Sequence, residues 1–320
     1  MKKSYLIVFL LFLAVIIVVV IVGDFGSTKL ENRPGNQYEL DVDEFKAVDP
    51  SLITYRETKN YMIQAEHVAG IAYSDNKLYV VGDQFLQVIH PDGTQIFKTS
   101  LPDHPTCVEV SDNGLIIVGF RNFIGKYSEK GEQIWIVDTL GSKSVITAVA
   151  IKDPLVFVAD AGKRIVHRYN MEGEYLDSFE GKTGGKDLHG FIIPSANFDL
   201  KVNNDGELWV VNPGKHSLEN YTDDGKLRAH WENSSVKIDG FSGCCNPAHI
   251  ALLPDGSFVT SEKLLVRIKV YKPSGEFLAV VAPPTLFEED GKAPDIAVDD
   301  NGSVYALDYY QNKIRVFEPK

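Results

Sequence analysis

Residues 199–210 read DLKVNNDGELWV, which is a short alternating apolar strand, an Asp-Gly turn and a second apolar strand. Asp-Gly or Asn-Gly between two such strands favours a tight β-hairpin, because glycine adopts the positive φ that the turn needs. Five further segments repeat this pattern, and the second strands of the six hairpins begin at Leu78, Leu115, Leu155, Leu208, Phe258 and Val304. Successive repeats are therefore 37, 40, 53, 50 and 46 residues apart. A period in this range, made only of strands and turns, predicts a β-propeller.

Each repeat also predicts a third and a fourth strand, so that one repeat makes one four-stranded antiparallel blade. The sixth repeat reaches only a third strand, at residues 313–317. A blade without its outer strand would leave an unpaired edge. We therefore expect residues 52–56 to supply that strand and close the ring. The predicted fold is all-β: a six-bladed propeller over residues 51–320, with its last blade closed by an N-terminal strand.

The typical repeat consists of an apolar strand, Asp-Gly, a second strand and then a basic residue with Tyr or Phe. This sequence pattern resembles the NHL-repeat family over residues 66–320. The resemblance implies a six-bladed propeller. It implies little about function, because this fold hosts lyases, lactonases, sensors and scaffolds.

The N-terminus predicts a membrane anchor. Lys2 and Lys3 precede an apolar run over residues 5–23 that contains no charge, close to the roughly 20 residues needed to cross a bilayer as a helix. With residues 1–4 in the cytoplasm, this transmembrane helix would be a signal-anchor. Residues 24–50 would then be a polar tether that holds the propeller on the periplasmic or cell-surface side. A cleaved signal peptide is the alternative, although the run is long and no Ala-x-Ala site follows it.

Charge and motifs exclude some classes of function. The net charge is −12 and no basic stripe appears, which argues against a nucleic-acid partner. The sequence contains no Gly-x-Ser-x-Gly elbow, phosphate-binding loop or His-Glu-x-x-His helix.

One position of the repeat is rich in potential metal ligands. The residues just before the first aliphatic of each innermost strand are equivalent, and they are Gly70, Cys107, Ala148, Asp199, His249 and Asp295. The neighbouring loops add further donors: His67, His104, His189, His216, Cys244 and Cys245. The sequence thus predicts a His/Cys-rich rim with a candidate divalent metal, zinc or copper, on Cys107, Asp199, Cys244, Cys245, His249 and Asp295. Each has a plainer alternative: the aspartates cap backbone N–H groups, Cys107 is a small buried residue and the histidines are surface polar groups.

The segment 240–249, GFSGCCNPAH, contains adjacent cysteines. Three chemistries are open for Cys244 and Cys245: a vicinal disulfide, metal binding together with His249, or a redox-active thiol pair. A rigid loop that merely packs the pair is the structural alternative.

Charged and aromatic residues follow the second strands on the same predicted face. We expect these to bind a ligand, and they are Arg121, Lys163, Arg164, Lys215, Glu262 and Tyr309. The alternative is that they are solvated rim charges.

The sequence therefore predicts a membrane-anchored propeller that binds a protein or small-molecule ligand. A metal- or redox-handling partner of a membrane complex is the second hypothesis. A metal-dependent lyase or lactonase-like enzyme, as the resemblance implies, is the third.

Overall fold

The computed structural model describes residues 11–15, 42–182, 190–288 and 291–320. The chain divides into two units, residues 1–42 and residues 43–320. Of the first unit, residues 11–15 are helical. Within the described ranges, no helix is both long enough and apolar enough to cross a membrane. The remainder of the predicted anchor at 5–23, and of the tether up to residue 41, lies outside the described residues.

Over the described part of the chain, 24 strands form six four-stranded antiparallel sheets, as predicted. Blades 1 and 2 comprise β2 (Val68–Ser74), β3 (Lys77–Gly82), β4 (Phe85–Ile89), β5 (Gln95–Ser100), β6 (Pro105–Val110), β7 (Ile116–Phe120), β8 (Ile124–Tyr127) and β9 (Gln133–Ile136). Blades 3 and 4 comprise β10 (Ile146–Lys152), β11 (Leu155–Asp160), β12 (Ile165–Asn170), β13 (Tyr175–Phe179), β14 (Leu200–Val202), β15 (Leu208–Asn212), β16 (Ser217–Tyr221) and β17 (Leu227–Glu232). Blade 5 comprises β18 (His249–Leu252), β19 (Phe258–Glu262), β20 (Arg267–Tyr271) and β21 (Phe277–Ala282). Blade 6 comprises β22 (Asp295–Val298), β23 (Val304–Asp308), β24 (Lys313–Pro319) and, from the other end of the chain, β1 (Tyr55–Met62). Short 3₁₀ turns occupy Val42–Phe45, Pro50–Leu52, Pro213–Lys215 and Pro284–Leu286.

The N-terminal strand closes the ring as predicted, but it begins and ends later in the chain than expected. Strand β1 pairs antiparallel with β24, from Tyr55 opposite Pro319 to Met62 opposite Lys313. Of the predicted residues 52–56, only Tyr55 and Arg56 belong to the strand, because Pro50–Leu52 forms a 3₁₀ turn. Most of β1 is exposed or half-buried, as suits an outermost strand.

The innermost strands surround the propeller axis. Strands β2, β6, β10, β14, β18 and β22 contact one another in this order, and β22 returns to contact β2. The second strand of each blade is buried on both faces, which explains its continuous apolar sequence. The hydrophobic clusters lie between neighbouring blades. For example, Trp209 of blade 4 packs edge-on against Phe258 of blade 5, with ring centroids 4.8 Å apart.

Candidate functional site at the channel mouth

Three of the predicted metal ligands converge at one end of the channel. Asp199 directly precedes β14, while His249 and Asp295 begin β18 and β22. One ligand atom from each residue lies within 4.8 Å of the other two. The Nδ1 atom of His249 is 3.7 Å from Oδ2 of Asp199 and 3.6 Å from Oδ1 of Asp295. We call these three residues the channel-mouth cluster.

Backbone hydrogen bonds hold both aspartates in place. Each carboxylate accepts the N–H of the residue that follows it, Leu200 at 2.8 Å and Ile296 at 2.9 Å. Each also accepts an N–H from the inner strand of the next blade: Asp199 from Ile250 at 2.8 Å, and Asp295 from Ile71 at 2.9 Å. The capping role proposed as an alternative is therefore present. These hydrogen bonds leave acceptor sites free on each aspartate, because an ionised carboxylate offers about four such sites.

An ion pair across the channel lies next to the cluster. Lys201 lies on β14, two residues after Asp199, and pairs with Glu109 on β6 of blade 2. Although burial opposes it, Glu109 and the carboxylates of Asp199 and Asp295 raise the pKa of Lys201 above its usual value. The ammonium therefore stays charged beneath the two aspartates.

The carboxylates also affect the imidazole. Burial disfavours a charged His249, yet Asp199 and Asp295 raise its pKa above the usual value. Burial raises the pKa of Asp295, although His249 opposes this. His249 and Asp295 thus both hold a proton more readily than usual in this confined site, where a cation can take the place of the proton.

Tyr309 is the predicted ligand-binding residue with a direct link to the cluster. Its hydroxyl donates to the Ala69 carbonyl at 3.3 Å. Burial, reinforced by the charges of Asp295 and Asp199, raises its pKa well above the usual value. The phenol therefore stays neutral and keeps its single hydrogen for donation, in this structure to the Ala69 carbonyl.

The other predicted ligand-binding residues do not join the cluster. Arg121, Lys163 and Arg164 are exposed, and Lys163 donates to the Leu140 carbonyl at 2.8 Å. The remaining two are paired within their own blades. Lys215 lies 3.7 Å from Glu219, and Glu262 is fully buried against Arg267 and Lys269.

The cysteines separate into two places. The thiol of Cys107 is buried in a hydrophobic cluster and occupies the space beside Gly119, and burial raises its pKa to about 12. Cys244 and Cys245 are free thiols whose sulfurs are 2.9 Å apart, in the loop before β18. Across the described residues, the channel-mouth cluster is the only group in which three or more His, Cys, Asp or Glu side chains lie close enough to hold one metal ion. The three cysteines therefore do not share a metal site.

The predicted rim histidines also stay apart from the cluster. His67 and His104 are exposed, and Nδ1 of His216 lies 2.9 Å from the Asn246 carbonyl. His189 lies outside the described residues.

Sequence reasoning missed Lys201 and Glu109, and also Ser195, whose hydroxyl accepts a hydrogen bond from Nζ of Lys263 at 2.9 Å. Lys201 and Glu109 had a detectable signal, because each stands two residues after a predicted inner-strand ligand and so shares its face of the strand. Ser195 lies four residues before Asp199 in a long loop, and nothing in the pattern marks it.

The sequence matches no protein-family model and no curated protein, and the NHL-repeat family is not confirmed. The fold does match solved structures. A streptogramin B lyase superposes with a TM-score of 0.59 at 15% identity, covering 83% of this chain and 98% of that chain. Virginiamycin B lyase from Staphylococcus aureus gives 0.59 at 15% identity, covering 83% and 100%. The WD40 propeller domain of Doa1 gives 0.53 at 13% identity, covering 81% of each chain. These similarities establish a six-bladed propeller whose fold is compatible with a binding scaffold or a lyase-like enzyme.

Proposed function

We propose that this protein is a binding propeller whose channel mouth takes up a divalent cation on Asp199, His249 and Asp295, and through it a ligand with oxygen donors. The observation that carries the proposal is the convergence of three donors, from three different blades, within 4.8 Å.

The spacing suits a small cation. Tetrahedral zinc with bonds of about 2.0–2.1 Å places its donors about 3.3 Å apart. The distances of 3.6 and 3.7 Å around His249 need only a small contraction to reach that value. Two carboxylates and an imidazole favour zinc over monovalent copper, which prefers thiolate or thioether ligands.

The charge also suits a divalent cation. When His249 is neutral, the carboxylates of Asp199, Asp295 and Glu109 outnumber the Lys201 ammonium by two. A divalent ion balances that excess in a site of low exposure, where uncompensated charge is costly.

Three protein donors leave coordination positions free for a ligand. A bound cation supplies Lewis acidity to an incoming carbonyl, carboxylate or phosphate oxygen. The neutral Tyr309 hydroxyl can donate its hydrogen to the same ligand by giving up its 3.3 Å bond to the Ala69 carbonyl. The exposed Arg121, Lys163 and Arg164 remain candidate contacts for an anionic or protein partner.

Calorimetric titration of the full chain with zinc, after chelator treatment, tests the proposal. We expect one site in the wild type, and its loss in His249→Gln and Asp295→Asn. Asp75→Asn is the matched control, because Asp75 is an exposed carboxylate that pairs with Lys77 on the surface. Binding that is equal in all four proteins, or no binding to the wild type, contradicts the proposal. Thermal unfolding of each variant shows whether a loss of zinc binding is due to the removed metal ligand or to a destabilised fold.

A lyase-like enzyme is the second candidate, favoured by the placement of a neutral phenol beside the proposed cation site. One solved neighbour is a catalytically inactive virginiamycin B lyase with quinupristin. Incubating the zinc-loaded chain with quinupristin and following its chromatographic retention tests this candidate. Conversion that is lost in Tyr309→Phe favours an enzyme, and unchanged quinupristin counts against a lyase of that substrate class.

We further propose that residues 5–23 anchor the chain in a membrane and place the propeller on the extracytoplasmic side. The support is the uncharged apolar run preceded by Lys2 and Lys3. Alkaline extraction of membranes from expressing cells, followed by protease treatment of intact cells or spheroplasts, tests both parts. Release of the full chain by alkali contradicts the anchor.

A further inference from the structure

The adjacent cysteines lie in a polar setting that the cation site does not explain. Cys244 is exposed and Cys245 is only 4% exposed, and their sulfurs are 2.9 Å apart. The loop that carries them precedes β18.

Hydrogen bonds fix Lys263 beside this loop. The Asn246 side chain accepts the Lys263 N–H at 2.9 Å and donates to the Lys263 carbonyl at 3.1 Å. It also donates to the Ser242 carbonyl at 2.8 Å. One side chain thus holds both ends of the cysteine segment against the end of blade 5's second strand.

The Lys263 ammonium is held by a serine from the loop that precedes blade 4. Its Nζ donates to Oγ of Ser195 at 2.9 Å, and both groups act on the Cys245 thiol, whose pKa they lower. Although burial opposes it, contacts with Cys244, Ser195 and Lys263 lower the pKa of Cys245, while the pKa of Cys244 is raised by its contact with Cys245. A thiol beside a lysine ammonium is the nucleophilic member of such a pair.

We propose that Cys244 and Cys245 form a peroxide-reactive dithiol site, in which Cys245 is the attacking thiolate, Cys244 the resolving thiol, and Lys263 with Ser195 the activating groups. The substrate class is a small hydroperoxide, because a residue as enclosed as Cys245 admits a small oxidant more readily than a bulky disulfide. The inference does not depend on the cation site.

The reaction balances as follows. The Cys245 sulfur attacks the distal oxygen of the hydroperoxide; the O–O bond breaks, Cys245 becomes a sulfenic acid, and the leaving oxygen takes up a proton to depart as water or an alcohol. The Cys244 thiol then attacks that sulfur, which forms the Cys244–Cys245 disulfide and releases the sulfenic oxygen as water. Two thiols are oxidised and one hydroperoxide is reduced. Because the two sulfurs are 2.9 Å apart, Cys244 can attack Cys245 without a large movement of the loop.

The test uses the full chain, reduced and then treated with one equivalent of hydrogen peroxide after chelator treatment. We expect two of the three thiols to be lost and the third, Cys107, to remain titratable after denaturation. Mass spectrometry should find the link within the single peptide that contains both cysteines. In Cys244→Ser, a sulfenic acid at Cys245 should be trapped by dimedone.

Two variants test the activating role. Lys263→Met should slow thiol loss at neutral pH several-fold, because removal of the ammonium reduces the thiolate fraction of Cys245. Lys263→Arg should retain most of the rate. Asn60→Ala, on the exposed outer strand β1, is a surface control that should change nothing.

The proposal is overturned if all three thiols react at equal rates, if Lys263→Met reacts as fast as the wild type, or if the pair reacts no faster than free cysteine. Thermal unfolding of Lys263→Met and Ser195→Ala shows whether a slower reaction reflects a disturbed fold. Zinc binding measured on the same samples is expected to persist, so failure of either proposal is recognised separately.

Discussion

At the scale of single residues, Asp160 shows how hydrogen bonds stabilise a buried ionised side chain in this propeller. Asp160 is fully buried at the end of β11. It accepts N–H groups from Val145 and Lys163, each at 3.0 Å, and lies 3.2 Å from Nε2 of His167. Burial alone would raise its pKa, but these hydrogen bonds prevail and lower the pKa to about 2. The ionised carboxylate is therefore part of the folded state.

This gives a pH-dependent prediction for Asp160. A carboxyl whose folded pKa lies below its unfolded value of 3.8 stabilises the fold above that value and loses the contribution as the pH falls towards 2. Asp160→Asn should cost about 2 kcal/mol at pH 7, and the difference from wild type should shrink between pH 4 and pH 2. Urea unfolding across this range measures it.

Asp177→Asn is the control for Asp160, because Asp177 pairs with Arg168 in the same blade but is more than half exposed. A cost for Asp160→Asn that is independent of pH would contradict the assignment.

Glu262 supports a second prediction at this scale. Its carboxylate is fully buried, with Arg267 Nε and Lys269 Nζ each at 2.7 Å. Burial lowers the pKa of Lys269 to about 7, although Glu262 opposes this. Glu262→Gln leaves the buried Arg267 without its anion and removes the charge that favours a protonated Lys269, so we expect a loss of about 3–5 kcal/mol in the free energy of unfolding.

The matched comparison for Glu262 is Glu276→Gln in the same blade, whose partner Lys272 is exposed. That change should cost less than about 1 kcal/mol. Equal costs for the two variants would mean that Glu262 is not the anion that the buried cations require.

At the scale of elements, the closing strand is the contact that joins the two ends of the propeller. Strand β1 pairs with β24 along seven residue positions, and Arg315 of β24 forms an ion pair with Glu57 of β1. The backbone bond from Lys320 N–H to the Thr54 carbonyl, at 2.9 Å, extends this pairing. Blade 6 therefore has its fourth strand only through these contacts.

Two truncations test this closure. A chain that begins at residue 43 keeps β1 and should unfold at the same temperature as the full chain. A chain that begins at residue 63 lacks β1 and exposes the edge of β24, so it should melt earlier and aggregate. Calorimetry and light scattering give both readouts. Equal melting of the two fragments would show that β1 is dispensable.

At the scale of the whole molecule, the Lys201–Glu109 pair connects blade 4 to blade 2 across the channel. It also offsets part of the negative charge of the channel-mouth cluster. Lys201→Met should therefore weaken stability in the absence of cation, but tighten zinc binding severalfold, because the like-charged ammonium is removed. Calorimetric titration at low salt compares it with the wild type. Weaker binding in Lys201→Met would contradict the charge argument.

The sequence was sufficient for the architecture because the signal recurs six times. The hairpins around Asp205-Gly206 and Asn301-Gly302, for example, occur where predicted. The bounds of β1 were predicted imprecisely because its sequence, YRETKNYM, is that of an exposed outer strand and has no apolar alternation.

The site could be predicted only in part. Asp199, His249 and Asp295 were found because equivalent positions in a propeller meet at the axis. Glu262 was expected at the rim because a charged residue after an apolar strand usually ends exposed. Glu262 is buried because it pairs with Arg267 and Lys269. These two residues alternate on β20, but the sequence does not reveal which face of that strand is directed towards Glu262.

The pairing of β1 with β24 has a consequence for biosynthesis. The ribosome makes residues 55–62 before any blade, yet their partner, residues 313–319, emerges some 250 residues later. Five blades can assemble while the chain lengthens, but the ring stays an open arc until that last segment arrives. A nascent chain arrested before Lys313 would carry an unpaired strand edge at each end of the arc. Quality-control proteases and chaperones would encounter this intermediate.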